Sequence, residues 1–349
     1  MQARGLTNGA IAVAGFLATA VLIRSLLPLP QIEPISAKLH YYQAHRATID
    51  TLFLGSSRVY QHVSPALFDE EAGRREVPLH SFNFGVNGMF LAEESYLLDQ
   101  VLAQRGGKLR FVFLELESLP LGFDPNNMGS QRIGYWHDWA RTHALLQKIF
   151  RVDENGKSKK ARDIILGQKK QERRHQLLIL HLSLFARHFV NLGRAQDVFD
   201  WVTHRSVLAD APSFGPGGDG YRPGTAVLPA DKVAEYKNAL SAALAASGPE
   251  ALDRYTEEIC RHCADTIRRH GAVPIFVVTP VLDQTQLVFP ATAPPSGAIL
   301  SFNNARRYPE FYRPAVRLDG SHMNRIGAAE FSRQLGRSFA ASLQAGEIR

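Results

Sequence analysis

Cysteine is scarce in this chain, with only two in 349 residues. That scarcity excludes a disulfide-dense scaffold and any self-contained four-cysteine zinc module. An overall apolar excess is missing too: the mean hydropathy of −0.15 excludes a polytopic membrane protein. Neither sign of charge dominates, with 40 basic against 33 acidic residues and a net charge of +7. Such a mild basic balance suits an anionic surface but does not by itself point to nucleic acid. Hydrophobic residues make up 45% and charged ones 21%, close to the globular average, so wholesale disorder, collagen and coiled coil are excluded. No internal repeat is visible. The length fits one large α/β domain carrying an insertion, or two small domains.

What is present begins with Gly5–Ile23, an uncharged stretch whose polar side chains are only Thr7, Asn8 and Thr19. A helix crossing a hydrocarbon core of ~30 Å needs about 20 apolar residues, so this run is just long enough. Arg4 precedes it and Arg24 closes it. The run reads as an uncleaved membrane anchor within residues 1–30, with a cleaved signal peptide or a buried soluble helix as alternatives. Ala18-Thr19-Ala20 resembles a cleavage site, but Val-Leu-Ile follows it inside the apolar run. The body, residues 31–349, is then expected outside the cytoplasm, beyond a stiff linker containing Pro28, Pro30 and Pro34.

Three apolar runs, Thr51–Leu54, Leu109–Leu116 and Val273–Thr279, read as buried parallel strands. Helical periodicity at Ala92–Arg105, Asp253–His270 and Ala328–Leu343 fills the space around them. Strand–helix alternation predicts a parallel sheet covered on both faces. Residues 125–230 break this rhythm and read as a helical lid or cap insertion, with helices at Trp139–Phe150 and Gln176–Leu192. Between these helices lies the basic stretch Lys157–Arg174, a solvated face or a contact for lipid headgroups or an anionic polymer. A glycine- and proline-rich loop, Ser213–Gly224, follows them.

Three pieces can carry chemistry. Gly55-Ser56-Ser57-Arg58 follows the first strand, ahead of a turn and helix over Val59–Phe68, at the strand end where parallel sheets place their ligands. Its serines read either as a nucleophile site or as helix N-caps. Asn83-Phe84-Gly85-Val86-Asn87-Gly88 follows a short strand, Ser81–Phe82. Its glycines allow close backbone approach, so Gly88 could offer its amide to an oxyanion; the alternative is an ordinary turn. Asp319-Gly320-Ser321-His322 precedes the last helix, and its spacing lets a carboxylate orient a general-base imidazole. The plainer reading is a surface turn with Asn324 as the cap.

In order and spacing the three pieces together resemble the SGNH/GDSL hydrolase superfamily, over about residues 47–339 apart from the insertion. The resemblance implies a three-layer, flavodoxin-like parallel-sheet domain. It also implies catalytic Ser57, Asp319 and His322, and an oxyanion hole from the amides of Ser57 and Gly88. Arg58 is a candidate substrate-binding residue. Two positions depart from the family. Ser56 stands where aspartate is usual, a wording closer to the membrane-anchored branch that includes alginate and cellulose O-acetylation proteins and the D-alanyl transfer protein of teichoic acid synthesis. Glu115-Leu116-Glu117-Ser118-Leu119-Pro120 replaces the third block, so the oxyanion asparagine is missing there and Asn87 is the nearest substitute. Losing one such donor typically costs ~10²–10³ in rate.

The expected activity is therefore acyl transfer through an acyl-Ser57 ester, with no cofactor and no metal. The acceptor would be a cell-envelope or exopolysaccharide hydroxyl, most simply in O-acetylation. By the same resemblance the protein sits in a bacterial inner membrane, single-pass, with its body in the periplasm and a membrane-bound O-acyltransferase as partner. The alternatives are a carbohydrate or lipid esterase of the same fold and a non-catalytic scaffold of polysaccharide export. Cys260 and Cys263 sit in a helical pattern and read as inert thiols, or as a disulfide if the body is extracytoplasmic. His137, His143, His175, His181 and His188 read as surface or lid histidines. Trp136, Trp139 and Trp201 read as a sugar- or lipid-facing groove or as packing within the cap.

Overall fold

The computed structural model describes residues 2–27, 29–104, 106–122, 131–151, 163–191, 194–203, 214–215, 217–245, 249–282, 287–289 and 297–348. Pro28, residues 157–162 of the basic stretch, and Ser213 and Pro216 of the glycine- and proline-rich loop lie outside the described residues.

Along the chain, α1 (Gln2–Leu26) and α2 (Ile35–His45) precede β1 (Thr51–Gly55), α3 (Ser57–His62) and α4 (Pro65–Gly73). Next come β2 (Ser81–Gly85), α5 (Leu91–Leu102), β3 (Phe111–Glu115), α6 (Gln131–Tyr135), α7 (Trp139–Arg151), α8 (Asp163–Phe189) and α9 (Ala195–Val202). The remainder holds α10 (Val233–Ala245), β4 (Glu250–Ala251), α11 (Arg254–Arg269), β5 (Val273–Val278), β6 (Leu287–Val288), β7 (Ala298–Ser301) and α12 (Arg325–Gln344).

Two compact units result, one of residues 33–119 with 209–349 and one of residues 1–32 with 120–208. The division differs from the expected cap over 125–230. Residues 217–230 belong with the sheet, where the Asn83 amide donates to Asp219 O at 2.9 Å and the Arg222 amide to Tyr60 O at 3.0 Å.

The sheet unit is α/β, with five parallel strands among the described residues in the order β2-β1-β3-β5-β7 and a separate two-residue pairing of β4 with β6. Strands β1, β2 and β3 are buried along their whole length, as a sheet covered on both faces requires. Alternation sends Phe53, Phe113, Ile275 and Val277 to one face, into a core shared with Phe68, Phe331 and Phe339 of α4 and α12. Leu52, Leu54, Val112 and Phe276 are buried on the other face, the side where α5 and α11 pack on each other and on the sheet. Cys260 and Cys263 are on the inner side of α11, buried as thiols and not joined in a disulfide. Because β2 lies on one side of β1 and β3 on the other, the connections reverse direction between β1 and β3. Ligands of such sheets gather beyond the strand ends at that point.

Local chemistry explains several boundaries. The stretch 59–68 forms two helices rather than one, because Pro65 keeps Ser64 extended and opens α4. Strand β2 continues to Gly85, so Asn83 and Gly85 lie in the strand and not in the loop expected for them. Asn324 caps α12, accepting from the amides of Ile326 at 3.0 Å and Gly327 at 3.2 Å.

In the other unit, α1 contains the one helix among the described residues that is long and apolar enough to cross a membrane, Thr7–Leu26. Its side chains are largely exposed, Ile11 at 65% and Val21 at 64%, so it is not the buried helix of a soluble core. The hydroxyls of Thr19 and Ser25 donate to Gly15 O and Val21 O at 2.9 Å, so both are satisfied within the helix. His137 and His181 are fully buried here, with ring nitrogens 3.1 Å apart, so the expectation of surface or lid histidines does not hold for them. Trp136 is also buried, while Trp139 and Trp201 are exposed.

Candidate active site

Ser57 is the first residue of α3, two positions past the end of β1. The chain turns there at Gly55, where a Cβ would lie 2.4 Å from Val59 Cγ2 and 2.6 Å from Glu115 Cβ, so only glycine fits. Ser56 is the N-cap, its hydroxyl accepting from the Arg58 amide at 3.2 Å. The plain capping reading therefore holds for Ser56, and it leaves Ser57 facing outward with its amide at a position no intrahelical bond can use.

The Ser57 hydroxyl lies 2.8 Å from His322 Nε2. On the other side of the ring, His322 Nδ1 lies 3.0 Å from Asp319 Oδ2 and 3.1 Å from Oδ1. A carboxylate accepting from Nδ1–H leaves a lone pair on Nε2, which then accepts from the serine O–H. The Asp319–His322 pairing is local, because Asp319 Oδ1 also accepts from the amides of Ser321 and His322 at 2.7 Å, closing the turn between them. Burial pushes the Asp319 carboxyl up, yet the hydrogen bond and charge of His322, together with those amides, hold it well below the ordinary carboxylate range.

Two buried groups that the motifs did not single out hold this loop. Arg317 donates to Gly320 O at 2.6 Å, Pro280 O at 3.0 Å and Asp319 O at 3.1 Å. His62 Nε2 accepts the Met323 amide at 2.9 Å, and its ring meets that of His322 edge-on at 6.0 Å between centroids. Accepting at Nε2 puts the His62 proton on Nδ1, and burial first, then nearby Arg317, keep the ring neutral.

A buried charge cluster lies beneath the serines. Glu115, 2% exposed, accepts from the Ser56 amide at 2.7 Å, Arg58 Nε at 2.6 Å and Thr279 Oγ1 at 3.1 Å. Arg58 also pairs with Glu117. The guanidinium, expected to meet a substrate, is thus engaged by two carboxylates and supports the serine turn. Glu94 accepts from the Glu115 amide at 3.0 Å, and burial pushes its carboxyl well above the ordinary range. The sequence signal for this cluster was the pair of acids Glu115 and Glu117, two positions apart at and just past the carboxyl end of a fully buried strand.

Burial first, then repulsion from Glu115, push Glu117 up to about 7 against the pull of Arg58. A carboxyl raised in the folded state binds more protons there than in the unfolded chain between its unfolded value and about 7. Its stabilising contribution is therefore complete at low pH and lost as pH rises through about 7. Thermal melts of wild type and Glu117→Gln, compared from about pH 5 to about pH 8, should show the wild type losing stability relative to the variant. Parallel curves would show that Glu117 titrates normally.

Gly88, three residues past the end of β2, has a positive φ of 66° that suits glycine. Asn87 is exposed, and its Oδ1 accepts from Gln61 Nε2 at 3.2 Å, a contact along the surface. Two further groups hold β2 against α3. The Asn83 side chain donates to Val59 O at 2.7 Å and Val63 O at 2.6 Å. The fully buried Lys38 ammonium donates to Asn83 O, Gly85 O and Gly220 O at 2.8–2.9 Å. These links set the second loop relative to the serine turn, and no motif announced them.

The arrangement can remove a proton from a serine hydroxyl, store it on an oriented imidazole and return it to a leaving group. No protein-family model matches this sequence, and no curated protein matches it at a significant level.

Proposed function

We propose that the chain is a serine-dependent acyl-transfer enzyme of the SGNH type, held in a membrane by α1 with its body outside the cytoplasm. The observation that carries this reading is the contact series from Ser57 Oγ through His322 to Asp319, at 2.8 and 3.0 Å. It stands beyond the sheet ends at the switch point between β1 and β3.

In this mechanism His322 Nε2 takes the Ser57 proton as Oγ attacks an acyl carbonyl. The amides of Ser57 and Gly88 receive the developing oxyanion. The leaving group departs with the proton from His322, and acyl-Ser57 remains. His322 then deprotonates an acceptor hydroxyl, which attacks the ester and frees Ser57. A glycan hydroxyl as acceptor makes the protein an O-acyltransferase, and water makes it an esterase. The apolar α1 favours transfer, because an anchored enzyme can take its acyl group from a membrane partner such as an O-acyltransferase. A purely scaffolding role has no use for an oriented base against a serine, and the acids that replace the third block have a structural task under Ser56.

The test is to treat the full chain in detergent with an active-ester acyl donor and to locate the adduct by peptide mass measurement. We expect acylation on the peptide carrying Ser57 and none in Ser57→Ala. A folded wild type that stays unlabelled would overturn the mechanism.

A further inference from the structure

Helix α9 is built inside out. Its carboxylates are buried, Asp197 at 5% and Asp200 at 3% exposure, whereas Phe199 (54%), Trp201 (47%) and Val202 (62%) are exposed. A helix facing water shows the opposite pattern. The inward carboxylates have partners: Arg194 pairs with Asp197 at 2.8 Å, and Gln196 donates to Asp200 at 2.8 Å. The preceding helix also shows exposed apolar residues, with Ile179, Leu182, Ala186 and Phe189 recurring at helical spacing on one exposed stripe of α8. Exposed apolar surface of this kind marks an interaction face.

What covers it follows from what the elbow between α8 and α9 is tied to. Asn191 Nδ2 donates to Ala20 O at 2.6 Å, and Arg194 donates to Leu27 O and, at 2.8 Å, to Leu29 O. Ala20 belongs to the last part of the apolar segment Thr7–Leu26, and Leu27 and Leu29 follow directly after its C-terminal end. At ~1.5 Å per residue, Ala20 lies about 9 Å inside that end. Amphipathic helices lying in a bilayer surface bury their apolar face ~5–10 Å into the boundary between headgroups and acyl chains, the level where aromatic residues collect.

We propose that the α8–α9 elbow is seated in the lipid interface beside the exit of α1, with Phe189, Phe199, Trp201 and Val202 in the outer acyl region. This rests on the reading of α1 as a membrane span. The occupant is the bilayer, since the same hydrogen bonds that place the elbow put its apolar side at the depth where lipid surrounds α1. Arg194, ion-paired with the buried Asp197, forms a buried joint between the elbow and the anchor, so the surface helices and the span act as one membrane-binding element.

The test uses the full chain in phosphatidylcholine–phosphatidylglycerol vesicles. Phe199→Cys is labelled with an environment-sensitive nitrobenzoxadiazole probe; the native Cys260 and Cys263 are fully buried and do not compete. A second sample carries the probe at Val13→Cys, in the middle of α1. Lipids with a nitroxide near the headgroup end or near the methyl end of the acyl chain report depth. We expect the Phe199 probe to lose the larger part of its emission to the shallow nitroxide, and the Val13 probe to respond more to the deep one. Quenching at Val13 without quenching at Phe199 would overturn the seating alone, leaving the elbow in water or against another protein. No quenching at either position would overturn the span, and the seating with it.

Discussion

Replacing Ser57 by alanine should lower acyl transfer by a factor on the order of 10⁴–10⁶, and His322→Ala should do nearly the same. The double variant should be little worse than either one, because the hydroxyl and the imidazole act through one 2.8 Å contact and each is idle without the other. Asp319→Ala should keep more activity, since the carboxylate orients the ring and stabilises its charged form without itself reacting. Rates with an active ester, and with a glycan acceptor, measure all four. Additive losses would mean that serine and histidine do not work as a pair. The fold should survive these changes, as Ser57 is only half-buried at a helix start and neither Asp319 nor His322 lies in the core.

The second large effect is expected at Glu115. Glu115→Ala removes at once the acceptor of the Ser56 amide, the partner of Thr279 and one of the two carboxylates on the nearly buried Arg58. Breaking a buried pair by deleting one partner typically costs ~3–5 kcal/mol, because the remaining charge stays out of water uncompensated. Against a total stability of ~5–15 kcal/mol that is a severe loss. Glu115→Gln gives up the charge and one of the two acceptor oxygens but keeps an acceptor for the Ser56 amide and the shape of the side chain, so its loss should be clearly smaller. Denaturant unfolding of the two variants measures the difference. Equal and small losses would show that the cluster adds nothing to the fold. At the sequence level this strand end looked like a defect, an oxyanion asparagine gone. In the folded protein its acids anchor the turn that presents the serine.

Much of this protein was legible from sequence wherever the cause is local. Apolar runs bounded by turn residues marked β1, β3 and β5 to within two residues, because a strand buried on both faces leaves no polar positions to blur it. Asp319 and His322 could be paired on paper because three-residue spacing and a side-chain-to-amide turn bring them together without help from the rest of the chain. The apolar start, the cap at Asn324 and the turn at Gly55 were readable for the same reason.

Tertiary structure alone decided the rest. Ser57 and His322 are 265 residues apart, and only the stacking of α3 and α12 on one side of the sheet brings them into contact. Arg58, expected to meet a substrate, was turned toward carboxylates that arrive from β3. His62, Lys38 and Arg317 look like surface residues in a linear reading, and the fold buries them where their nitrogens bond distant backbone groups. The inside-out character of α9 is of the same kind. A periodic pattern states that a helix has two faces, but which face turns inward depends on what lies against it, and here the charges of α9 turn toward the end of the anchor.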